Sequence, residues 1–372
     1  MAEERVNNGL LAQLPSAEGK VGWPWDQEVD PSRYRKDIEY PKLTVVTPSY
    51  NQGKYLEETI RSVLLHNYPN LEYFVMDGGS DDESKAIIEK YAPFIDHWES
   101  KKDRGQSHAI NKGFQRATGT LLAWLNSDDL YAFDCLGKVA ESYVESPVDL
   151  IYCDNIAFHS GLQREATPKG ELNYWEIVYR MKYINQESSF WTKSILDKVG
   201  LIDEDVHFAM DYDLWIRLFK HGTTRYLPGH YVGIVREHDD RKSFDWEAYR
   251  NSQGEVRQKY VGKGFWPRLK TGIIYRYLQY KEKGSLKKAF MKSGLEPYLG
   301  IKGRIFSTAG TLTTIDTNST NYYDEGSLRL TSGAGVLWQS PFGPIRLDYT
   351  FAILKETYDK TETFSFNVGS LF

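Results

Sequence analysis

From Leu43 onward the chain alternates two hydrophobic patterns. "LTVVT" (43–47) is an unbroken apolar and β-branched run, and "KYLEETIRSVLLH" (54–66) repeats apolar residues at helical spacing. "LEYFVMD" (71–77) returns to the strand pattern, "DDESKAIIEKYA" (81–92) and "QSHAINKGFQRA" (106–117) to the helical one, and "TLLAWLN" (120–126) is a third strand. Strands alternating with helices at this spacing predict a mainly parallel sheet covered by helices, in which ligands bind beyond the carboxyl ends of the strands. Three of those ends are polar: Thr47, Pro48, Ser49, Tyr50 and Asn51 follow the first strand, Asp77 with two glycines ends the second, and Asp128 and Asp129 follow the third. Neighbouring carboxylates repel and prefer water, so a pair at a strand exit is either a solvated turn or a cation site. Three polar exits converging on one cleft favour the site.

Before residue 41 the periodicity is weak, and "GWPWDQEVDPSRY" offers aromatic anchors to an extended arm. After residue 245 the charge changes. Arg257 to Lys292 holds eleven Lys and Arg against one acid, a local net of +10 inside a chain of net −5. This basic, helical-looking stretch (246–293) fits a peripheral contact with an anionic membrane surface, which attracts such segments by about 1 kcal/mol per cation. A plain solvated helix accounts for it equally well, and nucleic acid is not expected because no binding motif accompanies the charge. From residue 294 the alternation has period two and is glycine-rich, as in transmembrane barrel strands. Cys135 and Cys153 lack metal spacing, no apolar run is long enough to span a bilayer as a helix, and the first residues lack a signal pattern. These features together predict a cytoplasmic protein, at most at the inner face of the cytoplasmic membrane.

Five ordered stretches, "TVVTPSYNQGKYLEETIRSVL", "DGGSDDES", "DRGQSHAINKGF", "AWLNSDD" and "AMDYDLWIRL", together resemble glycosyltransferase family 2, over about residues 41–243 of an expected domain 41–245. The resemblance implies a GT-A fold and inverting transfer of a sugar from a nucleotide diphosphate to a hydroxyl of a saccharide or lipid-linked acceptor, as in cell-envelope or exopolysaccharide synthesis. It implies a divalent cation, Mn²⁺ or Mg²⁺, held by Asp128 with Asp129 second, to offset charge on the departing diphosphate. Asp77 and the Thr47 to Asn51 turn would receive the nucleotide, with Asp103, Arg104 and Asn111 of the third motif nearby. Arg104 could equally be a surface ion pair. The family's aspartate is replaced here by Asn126, which turns a charged contact into an amide contact. Asp211 matches the family's base, with Asp213 supporting it, although Met210 stands where the family has a second acid. An acid at a helix start also serves as a cap. His238, in "IVREHDDRKS", is a further metal or diphosphate candidate, and Trp215 reads as core. Gln186 and Glu187, in the aromatic and amide-rich segment 173–191, are expected near the acceptor.

The last stretch, most specifically "WQSPFGPIRLDY" (338–349), resembles the final strands of the bacterial outer-membrane barrel assembly family. Four or so strands cannot close a barrel, and open edges in lipid leave backbone groups unpaired. The expectation is therefore a transferase fused to a foreign, incomplete barrel tail. Two other functions compete. A barrel-assembly fragment rests on the tail alone. A sugar-phosphate nucleotidyltransferase would want a glycine-rich basic loop where "TPSYNQGKYLEE" stands.

Overall fold

The computed structural model describes residues 9–17, 19–159, 162–165, 170–238 and 246–264, a few positions between 271 and 278, and four strands beyond residue 300. Contacts divide the chain into two units, Met1–Pro267 and Arg268–Phe372. The basic stretch 257–292 lies mostly outside the described residues.

The first unit begins with β1 (Leu43–Ser49), α1 (Gly53–Leu64), β2 (Leu71–Asp77), α2 (Ser84–Tyr91), β3 (His97–Ser100), α3 (Gln106–Arg116) and β4 (Leu121–Trp124). All follow the hydrophobic pattern except β3, four half-buried residues that leave no apolar run. β1 pairs in parallel with β2 and β4, and β2 with β3. Ser49, Asp77 and Ser100 share one register level, so three strands end together and their exits face the same side. α3 rides close on the sheet at Gly113, where a Cβ would come within 2.5 Å of a Val46 methyl.

The rest of the unit adds β5 (Leu130–Tyr131), α4 (Cys135–Glu145), β6 (Leu150–His159), β7 (Leu162–Glu165), α5 (Tyr174–Arg180), β8 (Ser189–Thr192), α6 (Lys193–Val199), α7 (Met210–His221), β9 (Thr224–Glu237) and α8 (Trp246–Val261). The sheet order is β3-β2-β1-β4-β8-β6-β9-β5, with β7 on β6. β8 runs antiparallel to both β4 and β6, and β5 antiparallel to β9. The sheet is therefore parallel at one end and mixed at the other, because an apolar run marks a strand without marking its direction. Trp215 is fully buried and stacks on Trp124 at 5.9 Å, with Trp191 edge-on to both. It is a core residue.

Residues before β1 also pack on this unit. Val29, Tyr34 and Tyr40 are buried in the core cluster that includes α1 and α4. Arg61, 2% exposed, donates to the carbonyls of Pro15, Pro24 and Trp25 and to the Tyr91 hydroxyl. A buried guanidinium is costly unless each donor is satisfied, so these carbonyls fix the arm to α1.

His66, just after α1, is fully buried, with its ring nitrogens 2.7 Å from the Ser62 carbonyl and 2.9 Å from that of Ala132. Burial holds its pKa down to about 4. A pKa depressed on folding contributes stability that is complete above the unfolded value near 6.5 and is lost as pH falls toward 4. The loss attributable to His66 should be roughly 3 kcal/mol. Urea unfolding at pH 7 and pH 4.5 checks this: the pH-dependent loss should shrink in His66→Gln, and equal losses in the two proteins would refute it.

The second unit contains β10 (Ile301–Thr311), β11 (Leu328–Ser340), β12 (Gly343–Leu354) and β13 (Phe364–Val368), paired antiparallel in chain order. The period-two tail does form a short antiparallel sheet.

Candidate active site

A cavity of about 600 Å³ opens beyond the carboxyl ends of β1 and β4. Pro48, Ser49 and Tyr50 line it from the exit of β1, Gly78 from that of β2, and Asn126 to Asp129 from that of β4. Gln52, Lys102, Asp103, Gln106, Gln186, Asp211, Arg236 and Tyr249 add further polar groups to its wall, and Met210 lies among them. The two ends of the chemistry expected from sequence, the acidic turn and Asp211, thus meet in one space.

The acidic turn is closed by the Asp129 amide donating to the Asn126 carbonyl at 3.1 Å. Below it, the Thr59 hydroxyl lies 2.8 Å from the carbonyls of both Ser127 and Asp129. The two carboxylates have different surroundings. Asp128 lies on the cavity wall with an oxygen 3.0 Å from Nε2 of His238. Asp129 is buried, accepting from the Arg236 amide at 3.2 Å and from the Asn126 side chain at 3.3 Å. Burial, with the charges of Asp128 and Glu187 close by, pushes the Asp129 carboxyl well above the usual carboxylate range. Asn126 in turn accepts from Gln106 at 2.9 Å, so the amide that replaces the family's aspartate ties α3 to the turn.

Several residues singled out from sequence stand behind the wall. Asp77 is fully buried: its carboxylate accepts from the amides of Gly79 and Ser80 and from the hydroxyls of Ser80 and Ser100. Those bonds shape the loop in which Gly79 takes a φ of +85°, a conformation that favours glycine. Thr47 is buried with its hydroxyl 3.0 Å from that of Tyr73. Asn51 ties the same loop, receiving the Asp81 amide at 3.0 Å and giving its own amide to Ser80. Asn111 exchanges hydrogen bonds with the Ile202 backbone and donates to Glu204. Arg104 is exposed and paired with Glu204 at 2.6 Å, the surface ion-pair alternative. Glu187 is buried and accepts from Asn155, beside rather than on the cavity. Gln186 does line it, donating to the Trp124 carbonyl and leaving Oε1 buried without a partner among the described residues.

At the opposite side Asp211 sits in the first turn of α7, where its oxygen receives the Tyr212 amide at 2.7 Å and lies 3.5 Å from the Tyr249 hydroxyl. Burial and the neighbouring Asp211 charge push the Tyr249 phenol well above its ordinary pKa, so it stays a proton donor. Met210 accepts a contact from Ser107 at 2.7 Å. Asp213 is buried and engaged by Arg217 at 2.9 Å and Tyr260 at 2.8 Å. Its bonds brace α7 against α8 and do not reach the cavity.

Arg236 and Tyr249 are among the wall residues that went unread in the sequence. Arg236 is a lone cation in a strand run, and only the neighbouring His238 hinted at it. Tyr249 lies in an element with weak periodicity.

The protein-family comparison matches residues 44–198 to "Glycosyl transferase family 2". Residues 44–198 form a glycosyltransferase family 2 domain. The match stops before Asp211 and Arg236, which the fold delivers to the same cavity, and before His238, which reaches Asp128 on its wall. Residues 288–372 match the Omp85 superfamily domain. An uncharacterized glycosyltransferase of Rickettsia prowazekii is 27% identical over 202 residues, covering 50% of this chain and 61% of that protein. This chain thus spans about three fifths of that relative. TuaG of Bacillus subtilis, named for teichuronic acid biosynthesis, is 25% identical over 198 residues, 50% of this chain and 75% of TuaG. Among solved structures, S. aureus TarS 1-349 in complex with UDP-GlcNAc superposes with a TM-score of 0.50 at 16% identity, covering 68% of this chain and 76% of that one. That likeness establishes the GT-A fold.

Among the described residues, no three His, Cys, Asp or Glu side chains gather as a metal cage. The donor set that does exist is one carboxylate and one imidazole, Asp128 and His238, with Nδ1 of His238 buried and without a partner among the described residues. That set fits Mn²⁺ or Mg²⁺ in sites where the substrate's phosphates supply the remaining oxygens.

Proposed function

We propose that the family 2 domain transfers a sugar from a nucleotide diphosphate to a hydroxyl acceptor with inversion. The observation that carries this reading is the meeting of the Asp128–His238 pair and Asp211 on or beside one cavity at the strand ends. Asp128 and His238 would hold the divalent cation, which when bound offsets the charge that develops on the leaving diphosphate. Asp211 accepts the acceptor hydroxyl's proton as the sugar is attacked from the face opposite the diphosphate. Tyr50 and Gly78 would border the nucleotide, and Gln186 the acceptor. The UDP-GlcNAc held by TarS supports a nucleotide-sugar donor, and TuaG supports a cell-envelope polymer as the setting. A panel of UDP- and GDP-sugars assayed with Mn²⁺, Mg²⁺ or EDTA tests the reading, with the product anomer determined by NMR. Retention of the donor's configuration, or no turnover or donor binding across the panel, would remove it.

Every residue placed at the cavity lies at or before Tyr249, within the first unit. A chain ending at Lys292 should therefore bind donor with an affinity within about twofold of the full chain, because it keeps every residue placed at the cavity. Calorimetric titration of both proteins decides it, and loss of binding on truncation would make the tail an integral part of the enzyme.

A further inference from the structure

The family 2 reading leaves α1 without a role beyond packing, yet one of its faces touches the acidic turn, Arg236 and His238. Tyr55, Glu58 and Thr59 have the i, i+3, i+4 spacing that places them on one helix face. Thr59 grips the acidic turn through the Ser127 and Asp129 carbonyls, both at 2.8 Å. Glu58 holds the Arg236 guanidinium at 2.6 Å. The Tyr55 ring lies 4.7 Å from that guanidinium and 4.7 Å from the His238 imidazole, at 35° to it. None of the three lines the cavity, whereas Arg236 does and His238 reaches Asp128.

We propose that this face of α1 is a positioning element: Tyr55, Glu58 and Thr59 preset Arg236 and His238 against the acidic turn, so that the side chains meeting a nucleoside diphosphate are in place before it arrives. Arg236 and His238 lie at the end of β9, far along the chain from the turn they serve, and the Arg236 amide donates to Asp129. Backbone pairing alone sets the strand; it does not aim two long side chains. An aromatic face attracts a guanidinium, and a carboxylate fixes its plane through charge-assisted bonds. With the side chains already ordered, binding loses less conformational freedom. The proposal rests on the nucleotide-diphosphate reading.

Calorimetric titration of UDP, GDP and the corresponding monophosphates in Mn²⁺, on the full chain, separates this role from general packing. Tyr55→Leu and Glu58→Gln should each lower the ratio of diphosphate to monophosphate affinity, by about tenfold for Tyr55→Leu. Tyr55→Phe, which keeps the ring, should restore the ratio. Glu58→Gln keeps the test decisive if Tyr55→Leu fails to fold. Unchanged ratios in both variants, equal losses for the two nucleotide classes, or a Phe variant as weak as Leu would each overturn the proposal. If the wild type binds neither diphosphate in Mn²⁺, the proposed function falls first and this inference with it.

Discussion

Asp211→Asn should leave the fold and donor affinity close to wild type and lower transfer by about 10² or more, the usual loss when a positioned base is removed. Asparagine is the informative replacement because the two roles open to Asp211 respond to it differently. In the first turn of α7 it receives the Tyr212 amide at 2.7 Å, a bond an asparagine oxygen also accepts. Only the lost charge at the helix terminus would be felt, at about 0.3–1 kcal/mol. As a base it has no substitute, since an amide does not take up a proton near neutral pH. Single-turnover transfer, donor titration and a thermal melt on the same preparation read all three quantities. Stable protein that binds donor and turns over at the wild-type rate would reduce Asp211 to a first-turn acid that serves only the helix terminus. Weak donor binding would instead place the residue at the nucleotide.

How much of this site was legible in advance depended on what kind of interaction fixed each residue. Strands β1, β2 and β4 and helices α1 to α3 follow from periodicity alone, since strands that are buried along their length and polar at their exits leave a visible break in the pattern, whereas the four half-buried residues of β3 leave none. Asp128 was legible for that reason: a carboxylate pair directly after "LLAWLN" has few structural uses. Asp77 was equally conspicuous, but its carboxylate closes a loop through backbone amides and two serine hydroxyls. Sequence shows a carboxylate and a glycine pair; it does not show which way the carboxylate turns. Arg104, Asn111, Glu187 and Asp213 illustrate the same limit, because each finds a partner distant in sequence or on a neighbouring element. The mixed direction of the sheet and the use of Arg236 were hidden for a related reason. Both depend on where β8 and β9 enter the sheet, and an apolar run carries no information about its neighbours. The arm before β1 gave few periodic signals, yet a single buried cation, Arg61, collects its carbonyls.

The different surroundings of Asp128 and Asp129 lead to a second large effect. Asp128→Asn should weaken Mn²⁺ binding by at least the roughly 10- to 100-fold typical of losing a supporting group around a metal, because it removes the charge of a direct ligand. Transfer should fall with it, and UDP affinity in Mn²⁺ should drop toward that of the wild type in EDTA. The Asp128 oxygen contacting His238 can be replaced by an amide oxygen, so the cavity should keep its shape while losing its anion. Asp129→Asn should do less. Its oxygens are already taken by the Arg236 amide and Asn126, and an amide at that position can still accept the backbone bond. Manganese titration by electron paramagnetic resonance, run beside transfer assays on both variants, orders the two carboxylates. If Asp129→Asn abolishes metal binding and Asp128→Asn does not, the inner carboxylate is the ligand and the buried contacts seen here must open to expose it. If the wild type transfers equally well in EDTA, the cation has no part in the reaction, and the charge on the diphosphate falls to the cationic side chains of the wall, Lys102 and Arg236.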